Sequence, residues 1–251
     1  MSRVPVDLPE CRCRLEWGRR GAAMAAKRGD ILVVIDVLSF CSAVATAVHH
    51  GGKIIPCRDA VEARAIRKRR PGVIEAVRRG EHALVAYSLS PPSFMGISPG
   101  TTVALPSPNG ASCCLLGQST TVYAGCLLNA AAIARKVSLD MREPGANVTI
   151  LACGERWDDL NEDGCLRFAV EDYLGAGAVL HGLPFSKTPE AATCESAFVG
   201  TQISLAETLW RCDSGIELRE RGYPQDVEHA SMLNTYDSAA VLQNGQFESG
   251  S

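Results

Sequence analysis

The sequence predicts an α/β protein built on a mostly parallel sheet flanked by helices, and three observations point there. Of the 251 residues, 46% are hydrophobic but only 6% aromatic. The core is therefore aliphatic, which suits parallel strands buried under helices of small residues. Ile31 to Val37 (ILVVIDV) is a continuous β-branched run, typical of a strand covered on both faces. Short apolar runs, polar loops and small-residue helical segments then alternate along the chain. Residues 1–245 are read as one compact α/β unit and 246–251 as a flexible tail.

After the Ile31 strand, Cys41 to His50 is rich in Ala and predicts a helix ended by Gly51-Gly52. Lys53 to Cys57 predicts a second strand, and Asp59 an N-cap for a helix over Ala60 to Arg70. Ala83 to Tyr87 (ALVAY) predicts a third strand, and the Pro- and Gly-containing stretch Ser88 to Gly100 a long loop. Thr102 to Leu105 is a fourth strand, followed by Pro106-Ser107-Pro108-Asn109-Gly110 and a helix over Ala111 to Leu116. Thr121 to Gly125 is a fifth strand, and Asn129 opens a helix over Ala130 to Val137. Val148 to Ala152 is a sixth strand, leading into an acidic loop and a helix over Leu166 to Leu180. Thr188 to Cys212 reads as mainly helical, and Gly222 to Gln243 as a mixed segment.

Charge and composition exclude several classes. The formal net charge is −3, which leaves no footprint for nucleic acid. The one basic run, Arg67 to Arg70, closes a predicted helix and reads as a solvated end. No stretch approaches the roughly 18 apolar residues of a membrane span. The start, MSRVPVDLPECRCRLEWG, lacks the apolar core of a signal peptide. Eleven scattered cysteines without a CxxC pair give weak support for zinc and suit buried free thiols in a reducing cytoplasm.

In open α/β sheets, ligands bind beyond the carboxyl ends of the strands. Asp36 stands near the end of an apolar strand, where a carboxylate must be paired, bind a metal or be solvated. It reads either as a magnesium ligand or nucleophile, or as a structural, helix-capping carboxylate. The loop it opens carries Ser39 and Ser42, and a second loop carries Ser107, Asn109 and Ser112. Both lead into helix N-termini, whose free N–H groups favour anions. Gly110 lets the backbone approach a ligand closely, although Pro108-Asn109-Gly110 also reads as a plain tight turn. Asn129 is most simply an N-cap. A later loop holds Glu155, Asp158, Asp159, Glu162 and Asp163. Of the neighbours Glu171 and Asp172, about 100° apart on a helix, one is expected to face the sheet. There is no P-loop, no second acid in Asp36-Val37-Leu38 for an aspartyl-phosphate motif, and no dinucleotide fingerprint.

Taken together these motifs resemble the 2-phosphosulfolactate phosphatase family, magnesium-dependent acid phosphatases named for a step of coenzyme M biosynthesis. The landmarks are Val34-Ile35-Asp36-Val37-Leu38, Ser107-Pro108-Asn109-Gly110, Leu128-Asn129-Ala130, Cys153-Gly154, Val170-Glu171-Asp172 and Gly175-Ala176-Gly177, in the expected order from about Trp17 to Val241. The resemblance implies removal of phosphate from (R)-2-phospho-3-sulfolactate. It implies Asp36, Asn109 and Glu171 in catalysis, and Asp36 with Asp172 on Mg2+. Ser39, Ser42, Ser107, Gly110 and Asn129 would surround a small anionic phosphoester. It leaves a homodimer open.

The chain departs from the family pattern in two places, as a divergent branch would. Members carry an Arg directly after Asp-Val-Leu, where this chain has Ser39. Members carry Gly-Glu-Arg-Gly-Gly before the third loop, where the stretch near Ala86 to Pro92 reads AYSLSPP. Two other readings share the scaffold. One is a small-anion binder without turnover, motivated by the missing Arg. The other is an isochorismatase-like cysteine hydrolase, motivated by Cys153 after a strand opposite Asp36.

Overall fold

The computed structural model describes residues 10–80, 87–157 and 166–250. It opens with an element the apolar pattern did not signal, strand β1 (Cys13–Trp17), followed by helix α1 (Gly18–Arg28). β1 carries charge at every second position, yet Cys13 is wholly buried. α1 ends where Gly29, in the left-handed region, donates its N–H to the carbonyls of Ala25 and Ala26. Strand β2 (Ile31–Ile35) is buried throughout, and stops before Asp36 turns into the loop that opens α2 (Phe40–His49). All of α2 but His49 is buried, as expected for a helix that is apolar on every side.

Strand β3 (Lys53–Cys57) and helix α3 (Ala60–Arg69) follow, with the Asp59 carboxylate accepting the Glu62 N–H at 2.8 Å as the N-cap. A two-residue strand, β4 (Ile74–Glu75), precedes β5 (Thr102–Pro106), α4 (Gly110–Leu116), β6 (Val122–Gly125), α5 (Ala130–Asp140) and β7 (Val148–Ala152). The predicted third strand lies, except for Tyr87, outside the described residues, as do Asp158, Asp159, Glu162 and Asp163 of the acidic loop. Helix α6 (Val170–His181) begins later than the pattern suggests. Leu166 and Arg167 form strand β9 instead, laddered antiparallel to β8 (Glu155–Arg156) as a separate ribbon. Helices α7 (Pro189–Thr201), α8 (Leu205–Arg211), α9 (Asp213–Glu220) and α10 (Pro224–Ala230) lead to strands β10 (Ala240–Gln243) and β11 (Gln246–Ser249).

The expected flexible tail is therefore corrected: residues 246–249 form a strand inside the sheet. Asn244 and Gly245, both at positive φ, make the two-residue turn that folds β11 back on β10. Phe247 is then wholly buried, its ring 6.4 Å from that of Phe40.

The nine strands run in the order β1-β7-β2-β6-β10-β11-β3-β5-β4. β1, β7, β2 and β6 are mutually parallel, as are β3, β5 and β4, and the antiparallel hairpin β10-β11 joins the two blocks. Counted along the ladder, the second block runs opposite to the first. A twist of about 20–25° per strand, accumulated over the five steps from β2 to β5, swings that block by about 100–125°. The carboxyl ends of β2 and β5 thereby meet across α2, which packs against β3, β6, β10 and β11. On the other face α6 covers β7, β2 and β6 and packs against α7. Among the described residues no helix is long and apolar enough to cross a membrane.

Candidate active site

The meeting of the two strand ends is sealed by one carboxylate. Asp36 Oδ1 accepts the Phe40 N–H and Oδ2 accepts the Gly110 N–H, both at 3.0 Å. Glycine is required at 110 by this approach: an added Cβ would meet Phe40 Cδ1 at 2.5 Å and Asp36 Oδ2 at 2.6 Å. The close approach anticipated for a ligand is thus made to Asp36 itself. Burial pushes the Asp36 carboxyl up to about 6, against the two N–H bonds that lower it. The charge of Glu171 raises it further and that of Arg79 lowers it.

Asp172 does the same work at the other strand pair. Its Oδ1 accepts the Val37 N–H at 2.8 Å and its Oδ2 the Gly154 N–H at 2.9 Å, tying the ends of β2 and β7 to the first turn of α6. Burial, then the charges of Asp36 and Glu171, hold its carboxyl well above the usual range. As expected, one member of the acidic pair, Asp172, meets the sheet; Glu171 is also buried but is turned toward the Cys212 thiol. Glu155 is pushed up to about 7, by burial and then by Asp36 and Glu171. The Asn109 amide donates to Glu155 Oε2 and to the Gly154 carbonyl, each at 3.4 Å.

Asp36, Ser39, Ser107, Asn109 and Glu155 are among the walls of a cleft of about 550 Å3. Four arginines share the lining: Arg79, Arg156, Arg167 and Arg221. Ser107 Oγ accepts the Gly110 N–H at 3.1 Å, sharing that donor with Asp36. Ser39 Oγ accepts Arg79 Nη2 at 2.6 Å. Five expected residues are not among those that line the cleft: Ser42, Gly110, Asn129, Glu171 and Asp172. Ser42 is wholly buried and donates to the Val37 carbonyl at 2.8 Å. Asn129, also wholly buried, accepts the Cys126 N–H at 2.9 Å and donates to the Ala124 carbonyl at 3.2 Å. Both shape the loops from behind. Arg79 went unnoticed in the sequence, where its only signal is an Arg-Arg pair shortly after an apolar stretch.

Asp36 and Asp172, the expected metal ligands, are the carboxylates that meet at the strand ends, each with both oxygens bonded to backbone N–H groups. Among the described residues no three His, Cys, Asp or Glu side chains form a ready-made cage. An oxygen-only set still suits a hard cation such as magnesium, which takes one or two carboxylates and completes its shell with water and phosphate oxygens. The cysteine-hydrolase reading fails on the state of its thiol. Cys153 is buried, and its hydrogen bond with Cys113 together with desolvation pushes its proton affinity well up. A nucleophilic cysteine needs the opposite shift.

Comparison with known proteins agrees with the family landmarks. A family model described as 2-phosphosulpholactate phosphatase matches residues 21–245. The probable 2-phosphosulfolactate phosphatase of Pseudothermotoga lettingae is 26% identical over 227 residues, covering 86% of this chain and 91% of the relative. The 2-phosphosulfolactate phosphatase of Methanothermobacter thermautotrophicus is 24% identical over 218 residues, covering 87% of this chain and 89% of the relative.

Proposed function

The chain belongs to the 2-phosphosulpholactate phosphatase family, and from that premise we propose that it hydrolyses a small acidic phosphomonoester, (R)-2-phospho-3-sulfolactate, to 3-sulfolactate and inorganic phosphate. The observation that carries this reading is the buried carboxylate of Asp36, held by the Phe40 and Gly110 N–H groups at a cleft walled by arginines. Mg2+ is part of the proposal, with Asp36 and Asp172 holding it and Glu171 beside them. When bound, the ion neutralises charge on the phosphoryl oxygens. Its support is electrostatic: burial raises Asp36 and Asp172 most, and the charges of neighbouring acids raise each further, a concentration of carboxyls that a divalent cation would offset.

The chain's own residues then take these parts. Water adds to phosphorus as the bond to the ester oxygen breaks. Glu155, pushed up to about 7, is protonated often enough at neutral pH to give its proton to the departing alkoxide. Asn109 orients that carboxyl through its amide. Ser39 and Ser107 line the cleft, the Gly110 N–H fixes Asp36 and Ser107 from behind, and Ser42 and Asn129 hold the loops that carry them. A cytoplasmic setting is supported by ten described cysteines, all free and buried. A homodimer, for which exposed Val199 and Ile203 offer apolar surface, is read by light scattering of the purified chain.

The test is phosphate release from 2-phosphosulfolactate with magnesium, with EDTA, and from Asp36→Asn. Release that needs the metal and falls about 100-fold or more in the variant is expected. A purified, folded chain that releases no phosphate from a broad phosphoester panel overturns the reading in favour of small-anion binding without turnover.

A further inference from the structure

Building on the phosphatase reading, we propose that Arg79 binds the second, non-reacting acidic group of the substrate, a sulfonate or carboxylate, and that Asp226 is its positioning residue. The family's guanidinium after Asp-Val-Leu is replaced by Ser39 in this chain. Arg79 brings a guanidinium to Ser39 from elsewhere in the chain, donating from Nη2 to Ser39 Oγ at 2.6 Å and to the Leu89 carbonyl at 2.9 Å. Its Nε donates to Asp226 Oδ2 at 2.9 Å. The Asp226 side chain is wholly buried, and its other oxygen accepts the Ser90 hydroxyl. The Tyr223 ring lies 5.7 Å from the guanidinium carbon and limits its swing. A guanidinium has five N–H donors. The bonds described here engage Nε and Nη2, so the Nη1 pair remains to face an oxyanion.

The place of Arg79 decides which group it takes. It lines both the cleft and an adjoining cavity of about 700 Å3, along with Leu89, Leu218 and Arg221. It therefore stands on the wall toward α9 and α10, while Asp36, Asn109 and Glu155 belong to the cleft but not to the adjoining cavity. The phosphoryl group belongs beside Asp36 and Asp172, and the substrate's far end reaches Arg79. The cleft's acids repel a substrate carrying two anionic groups. A fixed guanidinium offsets that repulsion and adds directional hydrogen bonds that a lysine would not reproduce.

The experiment compares kcat/KM for 2-phosphosulfolactate and for ethyl phosphate, which has no second acid, in wild type, Arg79→Lys, Arg79→Ala and Asp226→Asn, with melting curves for foldedness. Hydrogen bonds to a charged group are worth about 1.5–3 kcal/mol. Arg79→Ala should therefore lose about 10–100-fold more on phosphosulfolactate than on ethyl phosphate, through KM, with partial rescue by added guanidinium ion. Asp226→Asn should shift KM the same way; if it does not fold, Ser90→Ala takes its place with a smaller shift. Equal losses on both substrates, or none, overturn the proposal. Should wild type turn over neither ester, the phosphatase reading fails separately. Titration with 3-sulfolactate then decides for Arg79, and binding that is absent or undiminished in Arg79→Ala overturns its role.

Discussion

Asp36 shows how much structure a single side chain at a cleft can hold. Its carboxylate closes a gap between two strand ends by accepting two backbone N–H groups, and burial keeps its proton affinity high. Gly110 shares that constraint. Gly110→Ala places a methyl group within 2.6 Å of Asp36 Oδ2 and closer still to Phe40. Overpacking of this kind costs about 1–3 kcal/mol. Chemical denaturation should show that loss, and phosphate release should fall with it because the Gly110 N–H is pushed off the carboxylate. The placing of Asp36 and Asn109 at the cleft was legible from sequence because polar residues just beyond an apolar strand stand out. Arg79 and Asp226 were not, since they lie 147 residues apart and neither sits beside a family landmark.

Local pattern was enough for most elements. β7 matches its apolar run end to end, and α3 begins at the cap its Asp59 announced. β1 escaped because its edge position, laddered to β7 and bridged on its other side only at Cys13 to Lys187, tolerates alternating charge and needs no apolar run. β11 escaped although Asn244-Gly245 is a strong hairpin signal. Its strands are four residues each and sit among Gln, Asn and Ser. Phe247 tests the correction. As part of a loose tail, Phe247→Ala would change stability by less than about 0.5 kcal/mol. As a wholly buried residue against Phe40 it should cost about 3–5 kcal/mol in urea or guanidinium melts.

At the scale of the whole molecule, the buried acids couple stability to pH and to cation. Asp36 moves from an ordinary 3.8 to about 6 and Glu155 from 4.5 to about 7. A raised carboxyl binds its proton more tightly folded than unfolded. Its favourable contribution is therefore full below about pH 4 and is lost as pH rises through 6 to 7. The chelated protein should lose this contribution across that window, beneath whatever other groups add. Magnesium should raise Tm more at pH 8 than at pH 5, because the carboxylates it binds are ionised only at the higher pH. Equal magnesium shifts at both values would remove the acids from the metal's account.

The sequence by itself determined the aliphatic α/β plan, the strand that ends at Asp36 and the family landmarks. Periodicity, caps and turn residues act over a few neighbours and leave their mark in the chain. Only the tertiary structure decided that two opposed parallel blocks are bridged by β10-β11, and that twist brings the ends of β2 and β5 together. It alone separated Ser39 and Ser107, which face the cleft, from Ser42 and Asn129, which bond backward to the backbone. It alone set Arg79 against Ser39. Those outcomes depend on register and twist summed over distant segments, and no local stretch of residues encodes such a sum.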